Sequence, residues 1–456
     1  MQRLPVELKQ LCIEGLDDDA DALKALRLVN KELGTLATKA LFSKAVLNPT
    51  DESAAIFKKL VQSKYSENVQ CVVINTSLCP DTEYEFYWSR AEESEILESF
   101  TDAIGFLHSF PRLDGLQLIF AVECAASLDT WIDDGSFDRD VEETPQFRSE
   151  VLGTVINALC EVPTLKSLSI KNLQDHMDRQ LLESEVFGAV RDRITRLHLQ
   201  ITTERKRRHA LELEAVHQGF TVDLPGLWLK PLSSQLTHLT LYSYTCMWGL
   251  FPFVELRDVG IFPCLESLSL GNYTFAHDWQ IDWILSHGPT LNQLLLDDCP
   301  IVTALRMRED MAKVAFPGLP TWPGSSHMDD SVDYFTQTSL HWHDIFDRFQ
   351  FGLPHLQHFA IHNSFMHWAN DAFDNRYKIS NILTHDRYHV FDVESVHPWR
   401  EFHPFGRNAE SYEFYRQNPH PDSEDLSVKF PECDDEDAEA LERLMKVVNA
   451  RAESEV

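Results

Sequence analysis

The sequence predicts an α/β protein: a small helical module at the N-terminus, followed by an irregular solenoid built from helix, turn and short strand. Three observations carry this. Leucines at helical steps crowd residues 4–42. An apolar triplet at positions 0, +3 and +5 recurs eight times between Val69 and Ile361. In five of those cases a proline stands two residues ahead of the triplet, where it ends a helix and starts an extended segment.

Taking the chain in order, Leu4, Leu8, Leu11 and Leu16 fall at near-helical steps. Pro5 sits at the start of this run, where its missing N–H costs nothing. After Asp17, Asp18 and Asp19, the residues Leu23, Leu26, Val29, Leu33 and Leu36 recur at intervals of three and four. Arg27 and Lys31 lie on the other side, so a second amphipathic helix is expected. So short a segment buries too little apolar surface to be generously stable alone, and it should dock on the rest of the chain or on a partner.

The pattern Leu4-Pro5-x-Glu7-Leu8 with Ile13 and Leu16, then Leu26-Arg27-x-Val29-Asn30-Lys31-x-Leu33 with Leu36, resembles an F-box of the form common in fungal F-box proteins. The resemblance implies binding to the Skp-type adaptor of a cullin-RING (SCF-type) ubiquitin ligase, with the remainder of the chain selecting a target protein. Carried over by position, the implied adaptor-facing residues are Leu4, Pro5, Leu8, Ile13, Leu26, Val29 and Leu33. The alternative is a helical hairpin that only caps a larger domain.

Leu47 to Asp51 reads as a turn with capping residues, and the helix after it carries Ile56, Phe57, Leu60 and Val61 on one face. The triplets begin at Val69, Leu113, Leu165, Ile194, Leu236, Leu265, Leu291 and Leu356. Their +3 and +5 residues alternate across a polar one, as a strand with one buried face requires. Helical patterns precede several of them: Ile96, Phe100, Ile104 and Leu107; Val151, Val155 and Leu159; Trp342, Ile345, Phe346 and Phe349.

Repeated in this way, L-x-x-L-x-L resembles the leucine-rich repeat. The spacings of 44, 52, 29, 42, 29, 26 and 65 residues make the repeat irregular, with long insertions. Asn172, Asn272 and Asn363 stand at +7, with Ser243 and Asp298 at the same place elsewhere. The expected layout is 1–48 helical module, 49–405 leucine-rich-repeat-like solenoid and 406–456 acidic tail with a terminal amphipathic helix through Leu441, Leu444, Met445 and Val448. Tyr388, Val390 and Phe391 are expected in a last strand that seals the solenoid.

Insertions near 129–149, acidic, and 317–333, rich in Pro, Gly and Ser and read as a loop, are expected to border the target-binding surface. Trp131, Asp133, Asp134 and Trp322 are the candidate target-binding residues there.

Composition narrows the function. With 72 acidic against 40 basic residues, the net charge of -32 repels phosphate backbones, so no nucleic-acid partner is expected. Arg205 to His209 forms a basic cluster that reads as a localisation signal, an acidic-partner patch or a solvated loop. No apolar run is long enough for a membrane span, and the N-terminus lacks a signal-peptide layout. Nine scattered cysteines without a C-x-x-C pair fit reduced thiols. An intracellular protein, cytoplasmic or nuclear, is expected.

Glycine is scarce at 17 residues and neither phosphate-cradle nor nucleophile-elbow motifs occur, so no catalytic residues and no cofactor are expected. Histidines gather late, with His341-x-His343-Asp344 and His385-x₃-His389 at ligand-compatible spacing. Positions i and i+2 of a helix point apart, so no metal site is expected there. A substrate-recognition subunit is the function these features favour. A repeat scaffold without ligase association is the alternative, and a metal-dependent hydrolase a third class.

Overall fold

The computed structural model describes residues 4–16, 19–78, 96–122, 124, 143–203, 217–243, 247–315, 322–325, 332–362, 373–374, 376–392, 399–400 and 430–454. It corrects the expected architecture. In place of an N-terminal helical module followed by an irregular leucine-rich-repeat-like solenoid, the chain is an α/β fold around a nine-stranded parallel sheet. A second, five-stranded sheet accompanies it. The physical reason is that the triplet specifies only a turn followed by a strand with an apolar face. That local instruction serves a continuous parallel sheet as well as a repeat stack.

Two compact units are distinguished, Met1–Leu173 with Asp178–His198, and Gln174–Met177 with Leu199–Val456. The first contains α1 (Val6–Glu14), α2 (Ala20–Leu26), α3 (Lys31–Leu41), β1 (Lys44–Leu47), α4 (Asp51–Val61), β2 (Cys71–Asn75), α5 (Glu98–Ile104), β3 (Gly115–Ile119) and α6 (Pro145–Leu159). It also holds most of β4 (Ser167–Gln174), then α7 (Arg179–Leu182), α8 (Glu185–Arg191) and the start of β5 (Arg196–Thr202).

The single helix expected after Asp19 is two. Asn30 leaves the helical conformation and its side chain accepts from the Leu33 N–H at 2.9 Å, which starts α3. Val29 therefore lies in the break rather than on an apolar stripe. Thr50 caps α4 by accepting from the Ser53 N–H at 3.1 Å. Ala54 and Phe57 are the buried residues of that helix, whereas Ile56 faces solvent. In β1 to β4 the register aligns Val46, Val73, Gln117 and Ser169 in one row. On the opposite face Val72, Leu116 and Leu168 are buried, with Phe57, Phe100 and Val155 from the helices also in the core.

The second unit contains β6 (His238–Ser243), β7 (Ser267–Gly271), α9 (Asp278–Leu285), β8 (Gln293–Asp297), β9 (Ile301–Arg308), α10 (Glu309–Ala315), β10 (Trp322–Ser325), β11 (Val332–Gln337), α11 (Trp342–Gly352), β12 (His358–His362), β13 (Tyr388–Asp392), β14 (Trp399–Arg400) and α12 (Asp434–Ser454). Leu239, Leu268, Leu294 and Phe359 align across β6, β7, β8 and β12. All four are buried, and Phe346 and Phe349 of α11 lie against Phe359 with ring centroids 6.0 and 6.1 Å apart.

The nine strands run β1-β2-β3-β4-β5-β6-β7-β8-β12, and all eight apolar triplets end in them. Among the described strands the order never reverses, so the sheet has no switch point of the kind that opens a nucleotide crevice in doubly wound folds. Asn172 (φ 58) within β4, and Asn272 (φ 55) and Asp298 (φ 49) directly after β7 and β8, adopt the left-handed conformation. Asn272 Nδ2 donates to the Ser243 carbonyl at 2.6 Å, and Asn172 Nδ2 to that of Phe120 at 2.8 Å. These are the +7 positions of the sequence pattern.

Two further expectations are corrected in the second sheet, ordered β10-β11-β9-β13-β14. The loop expected over 317–333 contains β10, whose Trp322 pairs antiparallel with Phe335. The strand expected to seal a solenoid is β13, which belongs to this second sheet and pairs in parallel with β9. The terminal helix α12 docks on α11: Arg443 meets Asp347 at 3.1 Å, and Arg451 donates to the Leu353 and Gln350 carbonyls at 2.8 and 3.0 Å.

Candidate functional site

The N-terminal helices close a small core of their own. Ile13, Leu23, Leu33 and Ala37 are buried together, with Leu16, Leu26, Leu36, Ala40 and Leu41 packed around them. Lys9, itself buried, reaches Glu32 at 2.9 Å and ties α1 to α3. Gly34 lets α3 approach the end of α2, since a Cβ there would stand 2.9 Å from the Arg27 carbonyl oxygen.

What this core leaves outside is apolar. Leu4, just ahead of α1, and Val6, Leu8 and Leu11 on it are exposed, Leu11 at 62%, while Leu28 and Val29 are exposed at 89% and 60% in the turn before α3. Leu8 and Leu11 stand three residues apart on α1 and so share a face. Scattered exposed leucines are ordinary; here three apolar residues of one short helix and two of the turn before α3 are left in solvent.

The seven adaptor-facing residues implied by the sequence divide accordingly. Leu4, Pro5, Leu8 and Val29 face solvent, Leu26 is half-buried, and Ile13 and Leu33 belong to the internal core. Leu11 and Leu28 join the exposed set without having been singled out. The signal for Leu11 was present in its helical spacing from Leu4 and Leu8. Leu28 required knowing that the chain breaks at Asn30. Of the target-binding candidates, Trp131, Asp133 and Asp134 lie outside the described residues, as does Arg205 to His209. Trp322 lies in β10.

Two buried polar centres lie elsewhere, one in each unit. In the first, Arg148 pairs with Glu143 at 3.1 Å and donates to the Asn172 carbonyl at 2.7 Å and to that of Ala121. Glu143 also accepts from the Ala121 N–H at 3.0 Å and from Thr76. The group joins the chain beyond β2 and β3 to Asn172 within β4, and anchors the end of the acidic insertion there. Its carboxylate and guanidinium are matched in charge and bonded to the backbone, which makes it a structural clamp.

In the second, Asp437 of α12 is fully buried and accepts from Arg387 Nε at 2.8 Å, Tyr388 Oη at 2.9 Å and the His343 N–H at 2.9 Å. The Cys433 Sγ lies 3.4 Å away. Burial, then the Asp437 charge, raises the Tyr388 phenol far above its ordinary value. Burial likewise pushes the Cys433 thiol up to about 11, leaving it protonated at neutral pH. This centre fastens α12 to α11 and β13.

No helix among the described residues is long and apolar enough to cross a membrane. Compared with known proteins, the chain matches no family model and none of the curated proteins.

Proposed function

We propose that the chain is the substrate-recognition subunit of a cullin-RING ubiquitin ligase. Its N-terminal helices bind a Skp-type adaptor through Leu4, Pro5, Leu8, Leu11, Leu28 and Val29, and the remainder of the chain holds a target protein. The observation that carries this reading is the division of apolar residues in α1 to α3, one set closing an internal core and the other left in solvent. An F-box-like sequence needs that division to grip a second polypeptide. The chain then performs no bond chemistry; it raises the local concentration of target lysines at the ligase.

The test is binding of the full chain to a purified Skp-type adaptor by isothermal titration. Leu8→Asp and Leu11→Asp place charges at solvent-exposed positions, so the fold should keep its melting temperature. Each should weaken adaptor binding at least a hundredfold, since a charge in an apolar interface is costly. Wild-type protein that ignores the adaptor removes the ligase assignment and leaves a protein-docking scaffold.

A further inference from the structure

We propose that His341, His343 and Asp344 form a site for one divalent transition-metal ion of the zinc class, with the buried Asp437 orienting His343. The inference is independent of the adaptor face, since every residue lies at the start of α11 or on α12.

The expectation that an i, i+2 pair diverges fails here for a local reason. His341 is the N-cap of α11, with extended backbone at φ -133 and ψ 148, whereas His343 is already inside the helix. The two rings therefore stack, centroids 5.0 Å apart and planes inclined by 24°. Asp344 Oδ2 stands 3.8 Å from His341 Nδ1 and 3.7 Å from His343 Nε2. One donor atom from each of the three residues lies within 4.8 Å of the others. Zinc at its usual bond lengths separates tetrahedral donors by roughly 3.3 Å, so small side-chain rotations close the set.

The decisive contact lies behind His343. Its Nδ1 is 2.9 Å from Asp437 Oδ1, and that carboxylate is wholly buried. With Nδ1–H donated to the carboxylate, Nε2 carries the lone pair and faces Asp344. A carboxylate behind a ligating imidazole fixes the tautomer and makes the ring a better donor. The His341 and His343 side chains are 34% and 27% exposed and Asp344 66%, so an ion reaches them from solvent.

They stand beside an open groove lined by Leu285, Ile345, Asp347 and Phe351. Three protein donors leave a fourth position for water or an incoming ligand. Two imidazoles with one carboxylate suit zinc, and related borderline ions, better than calcium or magnesium. The positive end of the α11 dipole opposes a cation, and the Asp344 charge, a full unit against the dipole's partial one, outweighs it.

The neighbouring trio of His343, Cys433 and Asp437 is also close-packed, but it is filled. The Arg387 guanidinium already lies on Asp437, and the Cys433 thiol is protonated. Asp437 is therefore a positioning residue rather than a ligand.

The experiment titrates the metal-stripped full chain with ZnCl₂ by calorimetry and with Co(II) by visible absorption. The expected result is one tight equivalent, with a tetrahedral Co(II) spectrum. His341→Ala and Asp344→Asn, both at solvent-accessible positions, should each lower affinity at least tenfold. His355→Ala, at an exposed histidine beyond α11, should leave it unchanged. Asp437→Asn keeps all three donors and should still lower affinity tenfold to a hundredfold; His341→Ala carries the test if that variant is poorly folded. Zinc affinity equal in the wild type and the His341→Ala/Asp344→Asn double variant would overturn the proposal, as would the absence of any tight equivalent.

Discussion

His389 on β13 shows how a single buried ring couples stability to acidity. It is nearly inaccessible, and burial lowers its pKa to about 4, against an ordinary 6.5, with a backbone bond at Asp386 offsetting little of this. Above pH 6.5 both folded and unfolded chains hold it neutral. Between pH 6.5 and about 4 the unfolded chain takes up a proton that the native ring refuses, so stability falls as acid is added. Going from pH 7 to pH 5, the wild type should lose about 2 kcal/mol more than His389→Leu, measured by urea unfolding. Equal losses would show that the ring protonates in place. Nothing in the sequence around His389 marks this behaviour, because it follows from depth. The left-handed Asn172 and Asn272 are the opposite case: asparagine at the +7 position is a legible choice, since it tolerates positive φ and carries its own donor.

At the level of elements, the strands and the major helices were readable because their periods are strong. Trp342, Ile345, Phe346 and Phe349 are all fully buried on α11, as their spacing requires. The terminal helix was equally plain, and Ala440, Leu444 and Val448 are its buried apolar residues. Leu444→Ala should cost about 2–4 kcal/mol and loosen α12 from α11. Hydrogen exchange should then show faster opening across Asp434–Ser454; unchanged exchange would mean that the Asp437 cluster alone holds the helix.

What escaped sequence reading at this scale were interruptions and pairings. A leucine run passes smoothly through Asn30 on paper, although the side-chain cap there divides it. The approach of His341 to His343 depends on one residue lying just outside its helix. The membership of β13 in a second sheet depends on partners far away in the chain, which no local pattern encodes.

For the molecule as a whole, the excess of acidic residues should set its response to salt. A net charge of -32 makes self-repulsion a general penalty on the compact state. Salt shortens the range of that repulsion to about 8–10 Å near physiological strength. Raising NaCl from 20 to 300 mM should therefore raise the melting temperature by a few degrees, followed by scanning calorimetry. A fall instead would mean that specific ion pairs such as Arg348 with Asp282, at 2.5 Å, outweigh the global field. The mixture of helices and strands was legible at this scale, but the expected helical module and solenoid were not what those elements build. The continuity of the sheet was not legible, because irregular spacing and shared triplets describe adjacent parallel strands without saying how far the sheet extends.

The unbroken succession of strands also bears on how the chain is made. A polypeptide leaving the ribosome meets, at each step up to β8, a partner that has already emerged, so hydrogen bonding can follow synthesis from the first strand onward. The exception is the last addition, where β8 must wait through the whole excursion that builds β9 to β11 before β12 arrives. During that interval its unpaired edge is the place where a nascent chain is most open to mispairing, and where a chaperone has most to protect.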